Sequence, residues 1–318
     1  MSVVKESKEV VERACELLKS GQMVAVMTET VYGMAVDATN REAIERVYKL
    51  KKRPNNNPLI VHVSSLKMAK EFVNFNKDLD LLAQTFWPGP LTMILQLKKN
   101  TDICKTVTSG LNSVALRVPN SKVFLKIIKK FNKPIAAPSA NISGYVSSTD
   151  ALHVKDSFGK SIKLIIDSGR SKFGLESTVI NLTSKPYLIE RMGIVDEKEI
   201  FEKTKISVLY KDITNYNAVV SPGQIKKHYS PNTPLRLNAD YPLTDEAFLA
   251  FGDVKLKPSK FYLNLSKNSN LEEAAYNLFD FLRKLDKIKK KTIAVSPIPM
   301  IGIGKTINER LIRASNYE

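Results

Sequence analysis

The chain has 318 residues, of which 43% are apolar, a length that predicts two domains and a composition that excludes disordered, collagen-like and fibrous proteins. Two cysteines, Cys15 and Cys104, are too few for a disulfide framework or a four-cysteine zinc site. No apolar run approaches the ~18 residues of a membrane span, so we expect a cytoplasmic protein without a membrane partner. The net charge of +17 is concentrated, with 15 Lys and Arg against 5 Asp and Glu in residues 51–150, which favours an anionic substrate or a nucleic acid, although a solvated surface explains most single lysines.

Helical and extended patterns alternate along the first 140 residues. Residues 7–20 carry apolar side chains at helical spacing and end at Gly21, Asn40 caps a second helix, and residues 121–131 predict a third. Strands are predicted at residues 23–27, 58–63, 91–97, 114–118 and 135–137. This alternation predicts an α/β domain with a mixed sheet.

The pattern degrades between residues 206 and 233, where Pro222, Gly223 and Pro231 predict an interdomain linker. Beyond it, strands at 261–265 and 292–295 alternate with helices at 271–288 and 306–314. We therefore expect a first domain over 1–205, a linker over 206–233 and a small Rossmann-like α/β domain over 234–318.

Residues 27–34, MTETVYGM, follow a predicted strand and are interpreted as one turn that contains Thr28, Glu29, Thr30, Tyr32 and Gly33. Hydroxyl and backbone N–H groups at a strand end are where α/β folds bind ligands. An ordinary turn is the alternative interpretation of this segment alone.

The segment KKRPNNNPLIVHV places Lys51 and Arg53 before Pro54, with His62 in the strand that follows. Two cations at this spacing suit a polyphosphate, and the Arg53 guanidinium could bind two oxygens at once. A solvated basic cluster is the alternative.

Small hydroxyl residues are concentrated in PIAAPSANISGYVSST, residues 134–149. Such residues leave backbone amides accessible, as phosphate-binding nests require, although a flexible loop would have the same composition. GLESTVI at 174–180 adds Ser177 and Thr178 at the start of a strand, and Arg191 ends another strand.

Together, these segments resemble the YrdC-type threonylcarbamoyl-adenylate synthases, in the two-domain form that carries an additional C-terminal domain. The motifs are TETVYG, K-x-RP followed by NPLIVHV, WPGPLT at 87–92, ALRVP at 115–119, APSAN-x-SG at 137–144 and ESTV at 176–179. SPGQIKKHYSP at 221–231 and GIGKTINERL at 302–311 are similar to the linker and the C-terminal motif of that form. Met27, Ser148 and Met192 depart from it, since proline is common at these positions.

The resemblance implies a YrdC-like open twisted mixed sheet and a linker that covers the active site. It implies that L-threonine, bicarbonate and ATP, with Mg²⁺ as cofactor, react to threonylcarbamoyl-AMP and pyrophosphate for the modification of adenosine 37 in tRNA. It further implies that the product passes to a tRNA threonylcarbamoyltransferase complex, and it is compatible with weak tRNA binding. By the same resemblance, a carbamate oxygen would attack the α-phosphorus of ATP, a reaction that needs no enzyme nucleophile.

The same resemblance assigns the site residues. Threonine would be held by Thr30, His62, Arg117, Ala137 through its backbone, and Ser177. ATP would be held by Lys51, Arg53, Asn57, Ser113, Ser139, Asn141, Ser147, Arg191 and Tyr229. Lys51 and Arg53 are the candidates for neutralising charge during catalysis, and no protein side chain is assigned to a metal.

Two other functions would explain part of these features. A double-stranded RNA or tRNA-binding protein without synthase activity would also be basic, but it would not need a hydroxyl-lined pocket. Carbamoyl transfer in hydrogenase maturation would require paired CxxC motifs, which the sequence lacks. GIGKT at 302–306 is neither a P-loop, because Pro299 replaces the first glycine, nor a dinucleotide fingerprint, because Ile307 replaces the third.

Overall fold

The computed structural model describes residues 2–210, 228–255 and 261–315. Residues 2–210 form an eleven-stranded sheet in the order β1-β8-β2-β3-β7-β4-β6-β5-β9-β10-β11. Its strands are β1 (Ser2–Lys5), β2 (Val24–Met27), β3 (Tyr32–Asp37), β4 (Ile60–His62), β5 (Leu91–Gln96), β6 (Ser113–Arg117), β7 (Ile135–Ala136), β8 (Leu164–Asp167), β9 (Thr178–Asn181), β10 (Tyr187–Arg191) and β11 (Val208–Tyr210). The sheet is mixed, since β4 and β6 are parallel whereas β5 and β6 are antiparallel.

Seven α-helices accompany this sheet in the described part of the chain. They are α1 (Lys8–Lys19), α2 (Arg41–Lys51), α3 (Leu66–Phe72), α4 (Lys77–Phe86), α5 (Lys122–Phe131), α6 (Ala151–Phe158) and α7 (Glu197–Thr204). Each begins after a polar residue whose side chain accepts a hydrogen bond from the backbone N–H three residues later, for example Asn40 for α2 and Ser121 for α5. Their apolar faces pack into one core with the strands, in which Leu18, Val24 and Phe124 are fully buried.

A second sheet lies in the C-terminal part of the chain and has four strands, all parallel. The strands are β12 (Leu235–Arg236), β13 (Glu246–Ala250), β14 (Tyr262–Asn264) and β15 (Thr292–Val295), in the order β12-β15-β13-β14. Helices α8 (Leu271–Asp286) and α9 (Ile303–Ser315) complete this part. The expected mixed α/β sheet with a smaller Rossmann-like unit is therefore confirmed.

Several elements differ from the sequence-based expectations. The sequence predicts one turn over residues 27–34, but only the stretch before Tyr32 turns, because β3 begins there and pairs antiparallel with β2. β11 lies inside the predicted linker and pairs with β10. Residues 211–227 of that linker, including most of its family motif, lie outside the described residues. The division at 205 and 234 stays a prediction.

The two parts of the chain are in close contact. A Cβ added to Gly174 would lie 2.6 Å from the carbonyl oxygen of Tyr276 in α8, so only glycine allows this approach. Tyr145 donates to Asp286 at 2.7 Å, and Lys287 pairs with Asp156 at 2.5 Å. None of the described helices is long and apolar enough to cross a membrane.

Candidate functional site

A cavity opens where the turn before β3 meets the ends of β4 and β6. Its lining is mostly polar and cationic, and it consists of Thr28, Thr30, Val31, Tyr32, Gly33, Arg53, Ile60, His62, Arg117, Ala137, Pro138, Ser139, Glu176, Ser177, Arg191 and His228. All five residues predicted to hold threonine are in this set, and so are Arg53, Ser139 and Arg191 of those predicted to hold ATP. The structure thus brings together residues from six separate sequence motifs.

Arg117 ends β6 and is held in place by three groups. Its Nε donates to the Gly89 carbonyl oxygen at 3.0 Å, Nη1 donates to Thr30 Oγ1 at 3.0 Å, and Nη2 forms an ion pair with Glu29 Oε1 at 2.6 Å. Both charged side chains are only 4% exposed. The guanidinium is therefore fixed before any ligand binds.

His62 is the neighbour of Arg117 in the parallel register of β4 and β6. Burial and the nearby Arg117 charge hold the pKa of His62 well below its ordinary value, so the imidazole is neutral at physiological pH. Among the described residues, its Nδ1 atom has no hydrogen-bond partner. A neutral imidazole with an unpaired nitrogen can accept a hydrogen bond from, or donate one to, a polar ligand.

A turn of hydroxyl residues forms another wall. Thr28 Oγ1 accepts from the backbone N–H groups of Thr30 and Val31 at 3.2 Å and lies 2.8 Å from Thr30 Oγ1. This local bonding explains why TETV turns sharply after β2 and exposes Thr30 to the cavity. Ala137 also lines the cavity, and its N–H donates to the Ile60 carbonyl oxygen at 3.0 Å.

Arg191 and Ser177 form a third wall. Arg191 Nη2 donates to the Ser177 carbonyl oxygen at 2.8 Å and to Ser177 Oγ at 3.0 Å, and Ser177 Oγ lies 2.8 Å from Thr92 Oγ1. Burial lowers the pKa of Arg191 from its ordinary value. These bonds hold a second guanidinium against the start of β9.

Arg53 supplies the third guanidinium of the lining. Its Nε donates to the Asn57 carbonyl oxygen at 2.9 Å, and its Nη2 donates to Asn57 Oδ1 at 2.5 Å and to the Pro58 carbonyl oxygen at 2.8 Å. Burial lowers the pKa of Arg53 to about 10, which leaves it protonated at neutral pH. Asn57 therefore contacts Arg53 from behind and does not itself line the cavity.

Lys51 lies behind the cavity wall, although it precedes Arg53 by two residues. Its Nζ donates to the Ser139 carbonyl oxygen at 2.6 Å and also to the Asn141 carbonyl oxygen. Burial and the Arg53 charge hold the pKa of Lys51 well below its ordinary value. In this position Lys51 supports the 139–141 loop, and its predicted contact with ATP stays a prediction.

Four other residues predicted to hold ATP are also outside the lining. Asn141 Nδ2 donates to the carbonyl oxygens of Ile142 and Tyr145 at 2.8 Å, so it shapes the loop. Ser113 begins β6, four residues and about 13 Å from Arg117.

Ser147 and Tyr229 are buried next to the cavity. Ser147 Oγ donates to Glu176 Oε1 at 2.5 Å. Tyr229 stacks on Phe279 at a centroid distance of 5.5 Å, and its hydroxyl has no hydrogen-bond partner among the described residues. Its neighbour His228 lines the cavity, so the described end of the predicted linker does reach the site.

Two carboxylates at the site were not predicted as site residues. Glu29 pairs with Arg117, and Glu176 accepts hydrogen bonds from Ser147 and from Arg310 of α9. Both occur in motifs that sequence analysis noticed, TETVYG and ESTV. Their roles depend on partners at least 29 residues away in the chain, which local spacing does not reveal.

One cluster of described residues has the ligand types of a metal site, namely Asp150, His153 and Asp280, whose candidate atoms lie within 4.8 Å of one another. Asp280 already pairs with Lys284 at 2.8 Å and with Arg170 at 3.4 Å. Two neighbouring cations disfavour a bound metal ion. The cluster instead links α6 to α8, away from the cavity lining.

Comparison with known proteins gives matches over nearly the whole chain. A family model for Sua5, YciO and YrdC, described as "Telomere recombination", matches residues 16–193, and a model for the C-terminal domain of threonylcarbamoyl-AMP synthase matches residues 194–316. Threonylcarbamoyl-AMP synthase of Pyrococcus abyssi is 34% identical over 96% of this chain and 93% of its own. The enzyme of the same name from Bacillus subtilis is 31% identical over 96% and 92%.

Solved structures give the same result. The crystal structure of P. abyssi Sua5 complexed with L-threonine superposes with a TM-score of 0.89 at 31% identity, covering 99% of this chain and 97% of that one. Escherichia coli YciO has a TM-score of 0.56 at 20% identity over 62% of this chain, a likeness of fold alone.

Proposed function

The chain belongs to the threonylcarbamoyl-AMP synthase family, and on this premise we propose that it converts L-threonine, bicarbonate and ATP into threonylcarbamoyl-AMP and pyrophosphate. The product would supply the threonylcarbamoyl group for adenosine 37 of tRNA, through a tRNA threonylcarbamoyltransferase complex in the cytoplasm. The observation that carries the proposal is the cavity itself, in which Arg117, Thr30 and His62 lie beside Arg53 and Arg191.

The Arg117 wall suits an amino acid. A guanidinium has five N–H groups, and Gly89, Thr30 and Glu29 account for three of them, so two remain for a carboxylate. The unpaired His62 Nδ1 and the Ser177 hydroxyl are within the same cavity and can bond to a hydroxyl or an amine. We assign threonine to this half.

The Arg53 and Arg191 walls suit a triphosphate. Both guanidinium groups line the cavity, and Ser139 lies in a loop of small residues whose carbonyl groups are held by Lys51. We propose that they orient ATP so that the carbamate oxygen of carboxylated threonine attacks the α-phosphorus in line. Orientation of bound reactants can contribute roughly 7–11 kcal/mol to lowering the barrier, and cationic groups stabilise the charge that develops.

Mg²⁺ would enter with ATP, held by its phosphates. Glu176 is the carboxylate in the cavity lining, and both of its oxygens already accept hydrogen bonds, one from Ser147 and one from Arg310. The residues therefore fit a metal carried by the substrate, whose role when bound is to neutralise phosphate charge.

Binding of double-stranded RNA or tRNA without synthase activity is the less favoured alternative, because the buried hydroxyl-lined cavity has no purpose in such a protein. The decisive experiment incubates the purified protein with ATP, Mg²⁺, bicarbonate and L-threonine and measures pyrophosphate. We expect release that requires both threonine and bicarbonate. Salt-sensitive RNA binding without threonine-dependent pyrophosphate would favour the alternative.

A further inference from the structure

Helix α9 of the C-terminal part contacts the backbone immediately after Arg191. Thr306 Oγ1 donates to the Gly193 carbonyl oxygen at 2.9 Å, and Arg310 Nη2 donates to the Met192 carbonyl oxygen at 2.6 Å. Thr306 and Arg310 are four residues apart and so lie on the same face of the helix. Helix α9 thus donates hydrogen bonds to the carbonyl oxygens of two consecutive residues, Met192 and Gly193, which follow the cavity-lining Arg191.

The Arg310 guanidinium also contacts the cavity wall directly. Its Nε donates to Glu176 Oε2 at 3.1 Å, and its Cζ atom lies 4.6 Å from the ring centroid of Tyr229, the neighbour of His228. Its side chain is 1% exposed and forms a further ion pair with Glu309 on the same helix. One buried cation therefore joins the start of β9, the end of β10 and the described end of the linker.

The wall that Arg310 touches is tightly packed. A Cβ added to Gly193 would lie 2.2 Å from the Thr178 backbone nitrogen, so the 191–193 segment rests directly on the residues that follow Glu176. Arg191 in turn donates to Ser177. A displacement of Met192 or of Glu176 would consequently move Arg191 and Ser177, which both line the cavity.

Arg310 also neutralises Glu176. Without Arg310, the Glu176 carboxylate would keep the hydrogen bond from Ser147, but it would lie buried in a cavity that we propose binds anions. An unpaired buried carboxylate opposes the binding of phosphates and forces its surroundings to rearrange.

We propose that Arg310 is a positioning residue of the site, which the C-terminal part supplies to hold Glu176 and Arg191 in the arrangement that binds ATP. This inference rests on the proposed function, in which Arg191 faces the nucleotide. It gives the C-terminal part a role in nucleotide binding even though, among the described residues, its own side chains are absent from the cavity lining.

The test compares four full-length variants with the wild type: Arg310→Met, Arg310→Lys, the double variant Glu176→Gln/Arg310→Met, and Lys305→Met as the matched control. Lys305 also lies on α9 and pairs with Glu197 across the same interface at 3.1 Å, but it does not contact the cavity lining. Initial rates of pyrophosphate formation are measured with ATP varied and then with threonine varied.

We expect Arg310→Met to lower kcat/KM for ATP by roughly 10- to 100-fold, because a charge-assisted contact is lost and a buried carboxylate is left unpaired. The KM for threonine should change less than the KM for ATP, because Ser177 is the one predicted threonine residue that Arg191 contacts, whereas Arg117 and Thr30 are held by other partners. The double variant should recover at least about 5-fold over Arg310→Met, because residue 176 no longer carries a charge and Glu309 keeps its ion pair with Arg313. Arg310→Lys should be intermediate, since one ammonium cannot reproduce the planar fork. Lys305→Met should keep wild-type kinetics.

Equal kinetics for Arg310→Met and Lys305→Met would overturn the inference, and so would a loss that affects the KM for threonine as much as that for ATP. If Arg310→Met does not fold, Arg310→Lys tests the inference, by comparing its change in KM for ATP with its change in KM for threonine. Calorimetric titration with ATP separates this inference from the proposed function. A wild type that binds ATP without forming pyrophosphate refutes the function, and the ATP affinities of the variants then decide on Arg310; a wild type that does not bind ATP refutes both.

Discussion

Replacement of Arg117 by methionine should affect stability and threonine binding for separable reasons. The guanidinium forms a 2.6 Å ion pair with Glu29, and each side chain is 4% exposed. Without Arg117 the Glu29 carboxylate stays buried, and breaking such a pair typically costs ~3–5 kcal/mol. This is a large part of a usual unfolding free energy of roughly 5–15 kcal/mol, so the thermal midpoint of the single variant should fall markedly.

The double variant Glu29→Gln/Arg117→Met separates the two effects, because it leaves no buried charge without a partner. We expect it to regain at least about half of the lost stability. Threonine affinity should nevertheless stay low by ~1.5–3 kcal/mol, or roughly 10- to 150-fold, because the carboxylate of threonine has lost its guanidinium. Glu29→Gln alone keeps Arg117 and serves as the binding control.

Thermal unfolding followed by circular dichroism measures the first effect, and calorimetric titration with L-threonine measures the second. Wild-type threonine affinity in the double variant would refute Arg117 as the carboxylate partner. Identical unfolding midpoints for Arg117→Met and the double variant would refute the buried pair as the source of the stability loss.

Three further predictions concern the nucleotide, the substrate and pH. Arg53→Ala should weaken ATP binding by ~1.5–3 kcal/mol while threonine binding changes little, and titrations in which both fall equally would mean that the cavity is divided differently. L-serine should support slower pyrophosphate release than threonine, by ~1–3 kcal/mol in kcat/KM, because it lacks the methyl group that threonine can bury in the cavity; turnover independent of any amino acid would contradict this. Burial lowers the pKa of His62 and His228 from the ordinary 6.5, so the unfolded chain binds more protons than the folded one. The thermal unfolding midpoint should therefore fall as pH drops through about 6.5. His228→Asn should flatten that dependence, and a midpoint constant from pH 8 to 5.5 would argue against neutral buried histidines.

Features determined by neighbouring residues were accessible from the sequence. Helix α5 was predicted over 121–131 and runs from Lys122 to Phe131, because Ser121 caps it and its apolar spacing matches one helical turn. The sequence also predicts the strand that carries His62, because apolar residues stand immediately before and after this histidine in the chain. The hydroxyl-rich motifs and their family resemblance also identified the residues that line the Arg117 side of the cavity.

Contacts between distant segments were not accessible in this way. The sequence predicts the same role for Lys51 and Arg53, yet the left-handed turn at Lys52 sends Arg53 into the cavity and leaves Lys51 beneath the 139–141 loop. The sequence predicts a turn over the first residues of β3, because the strand character of β3 depends on its pairing with β2 and β7.

The sequence by itself therefore determined the family, the alternation of helices and strands, and eight of the sixteen residues that line the cavity. Tertiary structure alone decided which charges are neutralised, because Glu29 meets Arg117, and Glu176 meets Arg310 across 134 residues, only after the sheet and the C-terminal helices have assembled. Burial is the physical reason. Water stabilises an exposed carboxylate, whereas a buried carboxylate is costly unless the folded chain places a cation beside it.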